Sequence, residues 1–344
     1  MHQFRRSVRS KLFRVTSWCK GLAPYALRTI TLQRPIRNSR LKRRTACHGV
    51  DEYFAMDING HQQWLRIRGE RTDNPVILYL HGGPGGSQIP SYRHYQLEWE
   101  RDFTMVHWEQ RGAGKSWSSS LDARSITIDQ LVSDGVQVID YLATRFGRTD
   151  IVLLGHSWGT FLGVHILQAK PNSISAYVGV GQTANLIESE QRMHGFALQA
   201  AQEDRNQTAI SQLIKLDGYP LSRSAPQDVA AVRYWARYYG FLGSGLSDVA
   251  RTYERLMDTP EYSLVDIYRF LKGTLVSAAT VGSTMLTNPD VQPVALPLEF
   301  DRPVFLISGR RDHFTPCDLA DEYLKTIVAP ADRAVGNTTT LPTS

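Results

Sequence analysis

Short apolar runs alternate with longer amphipathic stretches along most of this chain. Parallel strands that are buried on both faces consist of continuous apolar runs, and the sequence contains five of them: residues 76–80, 104–108, 151–154, 176–180 and 304–308. Ahead of them, residues 50–58 and 63–67 flank the dipeptide Asn59-Gly60, which predicts a β-hairpin.

Helical periodicity occupies the intervals between the strands. Helices are predicted over residues 126–146, over 158–170 and over 318–327, with Pro171 ending the second pattern. Alternating strands and helices predict an α/β fold with a mostly parallel central sheet and helices on both faces.

The strand pattern disappears between residues 183 and 296, where the sequence is helical and rich in Tyr, Trp and Gln. We therefore predict a helical cap over residues 183–296, inserted into a core of residues 50–182 and 297–330. Residues 1–49 form a basic extension ahead of this core, and residues 331–344 follow it.

Composition agrees with a globular chain of one large or two modest domains, since 42% of the 344 residues are hydrophobic. The sequence has no run of about 18 apolar residues, so we predict no transmembrane segment. Cys19, Cys47 and Cys317 are an odd and scattered set without metal-ligand spacing. We therefore expect no metal and no disulfide scaffold, and a reducing, cytoplasmic compartment.

The positive charge is concentrated in the N-terminal extension. Of the 39 Lys and Arg residues, 13 lie in the first 50 positions, which contain none of the 33 Asp and Glu residues. Phe4, Val8, Leu12 and Val15 recur there at helical spacing. A disordered extension, an organellar (mitochondrial) targeting segment and a membrane-surface helix all fit this pattern. No nucleic-acid-binding module accompanies the charge, so we do not expect nucleic acid as a partner.

A glycine-rich loop follows the strand at residues 76–80, with the sequence His81-Gly82-Gly83-Pro84-Gly85-Gly86. Glycines there let backbone N–H groups approach a substrate and face a developing oxyanion. A plain tight turn is the alternative interpretation.

A second motif follows the next strand, with the sequence Trp108-Glu109-Gln110-Arg111-Gly112-Ala113-Gly114-Lys115-Ser116. Its last three residues suggest a phosphate-binding loop, but that motif requires a glycine at the position of Glu109. We therefore expect no nucleotide cofactor.

The third motif, Gly155-His156-Ser157-Trp158-Gly159, joins a buried strand to a helix, which is the pattern of a nucleophile elbow. The fourth is Gly309-Arg310-Arg311-Asp312, after the strand at residues 304–308. Asp312 stands where the acid of a catalytic triad belongs, although a turn residue is the usual role of such an aspartate.

Together the four motifs resemble the α/β-hydrolase fold and, within it, the prolyl iminopeptidase family of serine peptidases, over about residues 50–330. The resemblance implies Ser157 as nucleophile, Asp312 as the triad acid and an oxyanion hole made by the N–H groups of Gly83 and Trp158. It implies no cofactor, and a peptide or small amide or ester as substrate, with an N-terminal residue, preferably proline, released through an acyl-enzyme. By the same resemblance, Glu190 at the start of the cap receives the substrate ammonium.

The histidine that this order of residues requires is missing. A triad in the order Ser, Asp, His needs a histidine beyond the acid, and the sequence has none after His313. His156 and His313 adjoin the serine and the aspartate in the chain, which turns their rings away, and His194 on the cap is a further candidate. Residues 331–344 lack strand and helix patterns, so we interpret them as an irregular tail of a truncated or frame-altered C-terminus. We expect the last strand and closing helix to be missing.

Two other functions stay open: an esterase or amidase of the same fold, and a catalytically inactive remnant that binds peptides or partners. Serine without a base is a feeble nucleophile, and loss of a triad member lowers turnover by roughly four to six orders of magnitude. Ser157 disfavours dehalogenases and epoxide hydrolases, which place a carboxylate at this elbow. The oligomeric state does not follow from the sequence.

Overall fold

The computed structural model describes residues 49–241, 254–296, 298–310 and 312–329, and the backbone of residues 334–338. The expectations for the basic extension, apart from Gly49, lie outside the described residues. No helix in the described part of the chain is long and apolar enough to cross a membrane.

The centre of the fold is an eight-stranded sheet with the strand order β1-β2-β4-β3-β5-β6-β7-β8. The strands β3 to β8 run parallel, and β2 is antiparallel to both β1 and β4. Their bounds are β1 (Val50–Ile58), β2 (His61–Gly69), β3 (Val76–Leu80), β4 (Thr104–Glu109), β5 (Ile151–His156), β6 (Ile174–Val180), β7 (Val304–Gly309) and β8 (Ala334–Thr338).

The hairpin of β1 and β2 confirms the turn predicted at Asn59-Gly60. Both residues adopt a positive φ, 49° and 74°, which matches the right-handed twist of the flanking strands. The other predicted strands of the sheet are confirmed to within two residues at their ends, and β5 extends two residues further than predicted, to His156.

Eight α-helices are described with both ends: α1 (Ile128–Phe146), α2 (Trp158–Ala169), α3 (Leu186–Glu203), α4 (Gln207–Ile214), α5 (Pro226–Tyr238), α6 (Leu264–Ala279), α7 (Val281–Thr287) and α8 (Cys317–Thr326). Residues 254–258, between α5 and α6, are also helical. The helix α1 begins at Thr127, whose side chain accepts from the Gln130 N–H, and ends at Gly147 with a φ of 60°. A Thr cap and a left-handed glycine are the signals that start and stop a helix.

The main core lies between one face of the sheet and three of these helices. Leu78, Leu80 and Leu153 of the sheet pack with residues of α1, α2 and α8. The opposite face receives two short 3₁₀ helices, Tyr92–His94 and Trp99–Arg101, next to β2 and β4. The helices α3 to α7 lie between β6 and β7 in the chain, and α3, α4 and α5 share a core of their own around Met193.

The last strand of the sheet is present, so the prediction that it is missing is wrong. Residues Ala334–Thr338 pair in parallel with β7, from Phe305 with Ala334 to Gly309 with Thr338. Pairing at a sheet edge is made by backbone N–H and C=O groups. A small, polar segment can therefore extend the sheet without the apolar alternation on which the prediction relied. The closing helix would fall on residues outside the described ranges.

Candidate active site

Ser157 lies in the sharp turn between β5 and α2, in a backbone conformation that is costly for a residue with a side chain. Its φ is 52° and its ψ is −118°, and strain of this kind is concentrated at functional sites. The turn is held by the Ser157 N–H, which donates to the Val180 carbonyl at 3.0 Å, and by the Thr160 N–H, which donates to the Ser157 carbonyl at 2.8 Å.

The two glycines of the elbow are required by close backbone contacts. A Cβ at Gly159 would lie 2.0 Å from the Leu80 carbonyl oxygen, and a Cβ at Gly155 would lie 2.5 Å from the Gly159 oxygen. Neither position has room for any side chain. The spacing of the motif thus follows from how tightly α2 crosses the end of β3.

The glycine-rich loop lies against this turn. A Cβ at Gly82 would be 3.5 Å from the Cβ of Ser157, and Gly83 has a φ of 127°. Trp158 is the first residue of α2, and the first N–H groups of a helix have no acceptor inside the helix. The residues expected to form the oxyanion hole therefore belong to two segments that meet at Ser157.

Three of the sequence motifs are joined through one glutamine. The Gln110 N–H donates to Nε2 of His81 at 3.4 Å, and the indole N–H of Trp158 donates to Oε1 of Gln110 at 2.8 Å. Burial lowers the pKa of His81 to about 4, so its ring is neutral and Nδ1 donates to the Gly82 carbonyl at 2.8 Å. His81 therefore supports the glycine-rich loop.

Asp312 follows β7, one strand beyond β6 from the elbow. Its Oδ1 accepts the N–H groups of Phe314 and Thr315 at 2.9 and 3.0 Å, and its Oδ2 accepts the Thr315 hydroxyl at 2.7 Å. A Cβ at Gly181 would lie 3.8 Å from Oδ2, so the carboxylate of Asp312 lies next to the end of β6.

Ser157 and Asp312 are thus placed on either side of the end of β6. The strands β5 and β7 are two positions apart in the sheet, roughly 10 Å at about 4.8 Å for each strand. Such a gap suits an intervening imidazole ring better than a direct contact between the two side chains.

No described histidine is hydrogen-bonded to Ser157 or Asp312. The ring of His313 stacks on Phe241 with ring centroids 4.5 Å apart, and Nε2 of His194 lies 3.0 Å from the Leu213 carbonyl oxygen within the cap. His156 lines a cavity on the second face of the sheet, and its Nδ1 lies 3.1 Å from where a Cβ of Gly82 would be. Burial lowers the pKa of His156, and the charge of Asp312 partly offsets that effect. In the described part of the chain, no histidine is hydrogen-bonded between the serine and the acid.

Glu190 is buried inside the cap, with its carboxylate already bonded to the protein. One oxygen accepts Nε of Arg233 at 3.0 Å and also pairs with Nη2 of that arginine, and the other accepts the Tyr219 hydroxyl. Glu190 has no exposed surface. This arrangement leaves no free carboxylate oxygen for a substrate ammonium.

Glu109 forms a contact between core and cap that the sequence did not indicate. This buried carboxylate accepts the hydroxyls of Ser87 at 2.7 Å and Tyr53 at 2.9 Å, the Lys115 N–H at 3.1 Å and the hydroxyl of Tyr262. Burial raises the pKa of Glu109, and the four donors partly offset that effect. The motif that resembled a phosphate loop thus binds a tyrosine from the segment that leads into α6.

The described residues contain no group of three or more His, Cys, Asp or Glu side chains that could hold a metal ion. The arrangement offers a strained serine, a glycine-rich loop and a helix N-terminus next to it, and a half-buried acid nearby. These groups serve acyl transfer, in which an oxyanion develops beside the serine.

The chain is similar in sequence to known proteins of one fold family. A family model described as alpha/beta hydrolase fold matches residues 75–327. The probable aminopeptidase YbaC of Bacillus subtilis (strain 168) is 31% identical over 287 residues, which cover 81% of this chain and 86% of that protein. The proline iminopeptidase of Arabidopsis thaliana is 28% identical over 156 residues, covering 44% of this chain and 39% of the relative.

Among solved structures, the proline iminopeptidase of Mycobacterium smegmatis superposes with a TM-score of 0.52 at 19% identity, over 84% of this chain and 91% of that one. The structure of VinJ gives a TM-score of 0.53 at 19% identity, over 83% and 90% of the two chains. At this level of identity, the likeness concerns the fold alone.

Proposed function

Since the chain belongs to the alpha/beta hydrolase fold family, we propose that it is a serine hydrolase that releases the N-terminal residue of peptides, with a preference for proline. The conformation of Ser157 carries the proposal, because a strained backbone of this kind at a non-glycine residue is concentrated at functional sites. The substrate class is taken from the relatives that are named aminopeptidase and proline iminopeptidase.

The reaction begins with attack of the Ser157 hydroxyl oxygen on the carbonyl carbon of the N-terminal residue. The oxyanion that forms accepts hydrogen bonds from the N–H groups of Gly83 and Trp158. The C–N bond then breaks, the remaining peptide leaves as an amine that takes up a proton, and water hydrolyses the acyl-enzyme. The two donors sit on different segments, so their alignment depends on the hydrogen bonds of Gln110 to His81 and Trp158.

The reaction also requires a group that takes the proton from the Ser157 hydroxyl. Asp312 is positioned to orient an imidazolium, but no described imidazole is bonded to it or to Ser157. Removal of the base from a serine triad leaves the catalysis that comes from the oxyanion hole and from binding, roughly 10³–10⁴-fold over water. We therefore propose that the 344-residue chain acylates slowly at Ser157.

The amine-binding role expected of Glu190 is not part of this proposal. Its carboxylate is occupied by Arg233 and Tyr219, which pack α3 against α5 and the loop between α4 and α5. We assign Glu190 the role of holding these cap elements together.

A fluorophosphonate probe tests the nucleophile without requiring the right substrate. We expect slow labelling of the folded protein, abolished in Ser157→Ala and unchanged in the matched control Ser211→Ala, an exposed cap serine. The requirement for a free N-terminal amine is tested by comparing proline arylamide with its N-acetylated form, since an aminopeptidase cleaves only the first.

Equal cleavage of both arylamides in a Ser157-dependent manner would replace the aminopeptidase by an esterase or amidase of the same fold. Labelling that is absent in the folded protein, or that persists in Ser157→Ala, would overturn the serine-hydrolase proposal. Absent labelling would leave the alternative of a catalytically inactive remnant.

A further inference from the structure

The second face of the sheet is apolar but lacks a helical cover in the described part of the chain. Ile77, Met105 and Leu154 form a small cluster there and are each at most 6% exposed. The partly exposed Tyr79, Val152, Val178 and Val180 join it, and no residue of an α-helix belongs to the cluster. Phe305 and Ile307 pair with Val178 and Val180, so they lie on the same face. We call these strand residues the open face.

The open face is bordered by the 3₁₀ segment between β3 and β4. Tyr95 and Trp99 of that segment are 57% and 47% exposed, which is high for side chains of this size. A cavity of about 200 Å³ lies between them and the strands. Parallel sheets are found with both faces covered, so an apolar face of this extent requires a partner.

We propose that the N-terminal segment of this same chain, residues 1–48, packs on the open face through Phe4, Val8, Leu12 and Val15. These four residues recur at the spacing that places them on one side of a helix. Together these four side chains form an apolar stripe that covers the open face.

The connection between the segment and the body favours this occupant. The body begins at Gly49 and Val50, at the start of β1, and Val50 pairs with Gly69 at the same end of the sheet as Thr104 and Val76. Ile77 and Met105 of the open face are next to those residues. The distance from β1 to β5 is four strand spacings, roughly 19 Å, which about six extended residues span.

Charge complementarity points the same way. The first 50 residues contain 13 basic and no acidic side chains, so the remaining 294 contain 26 basic and 33 acidic ones. A segment of charge +13 and a body of charge −7 attract each other, and the attraction weakens with salt.

A second exposed apolar stripe is present on the cap, and it serves as the internal comparison. Leu264, Tyr268, Leu271 and Leu275 of α6 are 47–67% exposed. They lie at the opposite end of the sheet, since α6 contacts the loops that follow β3 and β4 at Gly85 and Gly112. Tyr53 of β1 and Phe270 of α6 pack against the same small cluster, so the variants below, and not the reach of the segment, separate the two stripes.

Trypsin measures the proposed contact, because the segment offers cleavage sites at Arg5, Arg6, Arg9, Lys11 and Arg14. We expect cleavage at these sites in the full chain to be about tenfold slower than in the free peptide 1–48, since cleavage follows the population of the undocked state. The rates are read by mass spectrometry, at low salt, on protein whose mass is checked by light scattering.

Four variants test which apolar stripe of the body, and which side of the segment, form the contact. Val8→Glu/Leu12→Glu and Trp99→Ala are expected to abolish the protection. The matched controls Gln3→Glu/Ser10→Glu, which add the same charge on the opposite side of the helix, and Leu271→Ala/Leu275→Ala, on the cap, are expected to keep it.

Cleavage at the rate of the free peptide would overturn the proposal. Protection that is lost on dilution together with a change from dimer to monomer would also overturn it, in favour of a second copy covering the face. Loss of protection in the cap variant instead of Trp99→Ala would assign the segment to the other stripe. These outcomes do not depend on whether Ser157 is reactive.

Discussion

The indole N–H of Trp158 donates to the side-chain oxygen of Gln110 at 2.8 Å, and both residues are buried. Trp158 follows Ser157, the proposed nucleophile. Gln110 belongs to the motif after β4, and its backbone N–H donates to His81 of the glycine-rich loop. The segments of the two proposed oxyanion donors are therefore linked through one glutamine, by its backbone N–H on one side and its side-chain oxygen on the other.

Gln110→Ala removes the acceptor of the Trp158 indole and leaves its N–H buried without a partner. A buried donor left unpaired costs about 1–3 kcal/mol, so we expect the free energy of unfolding to fall by about that amount. Labelling of Ser157 by the fluorophosphonate should slow as well. Urea denaturation measures the first effect, and exposed Gln202→Ala on α3 is the control, with a change within about 0.5 kcal/mol. An equal loss in both variants would refute the structural role of Gln110.

Gly159→Ala tests the close approach of α2 to β3. The new Cβ would lie 2.0 Å from the Leu80 oxygen, so backbone must move, and we expect a loss of several kcal/mol or failure to fold. The control is Gly195→Ala, inside α3, where a Cβ meets nothing within 4 Å. Replacing a helical glycine by alanine there should stabilise the protein by about 0.5–1 kcal/mol. Similar stabilities for the two variants would contradict the geometry described for the elbow.

Free imidazole is expected to accelerate the labelling of Ser157, because it can supply the missing base between the serine and Asp312. The acceleration should rise with imidazole concentration and vanish in Ser157→Ala. Asp312→Asn should reduce it, since the acid stabilises the imidazolium that forms. The rate of fluorophosphonate labelling is measured by quenching samples at several times at fixed pH. A non-basic salt at the same concentration as the imidazole is the control. An acceleration that is identical in Asp312→Asn would remove Asp312 from the proposed triad.

Acid should destabilise this protein through two buried histidines. Burial lowers the pKa of His107 to about 3 and that of His81 to about 4, whereas an unfolded histidine has a pKa near 6.5. The unfolded chain therefore binds more protons as the pH falls below 6.5, and stability is lost from there down to the folded values.

The variant His107→Gln isolates one of these histidines. Each such proton contributes up to about 1.4 kcal/mol per pH unit, so the slope of stability between pH 6 and pH 4 should fall by about 1 kcal/mol per pH unit. Denaturant unfolding at several pH values gives the slope, and exposed Gln202→Ala, which removes no titratable group, is the control. An unaltered slope in His107→Gln would show that this imidazole is protonated in the folded protein.

Several elements were predictable because their signals are local. The positive φ of Asn59 and Gly60 follows from the residue types in a two-residue hairpin turn. The elbow at Ser157 follows from two glycines at fixed spacing after an apolar run, since the steric demand acts over five residues. The strand and helix bounds follow from apolar periodicity for the same reason.

Other features depend on residues that are far apart in the chain. The hydroxyl of Tyr262 reaches Glu109 across 153 positions, and Glu190 meets Arg233 across 43. A carboxylate near the start of a cap helix has the same sequence signal whether it faces substrate or an arginine. Only the packing of α3 against α5 gives Glu190 a partner and buries it.

The order of strands and helices in the core, the places of Ser157 and Asp312 after their strands, and the lack of a histidine after His313 can be read from the sequence, because each is a matter of residue type and local spacing. That residues 334–338 join the sheet is visible only in the folded chain, because edge pairing uses backbone groups that every residue carries. The tertiary structure also decided which apolar face of the sheet the helices cover. The covered face depends on the direction in which each crossover passes over the sheet. A continuous apolar run places apolar side chains on both faces of its strand, so the run does not indicate which face a helix covers.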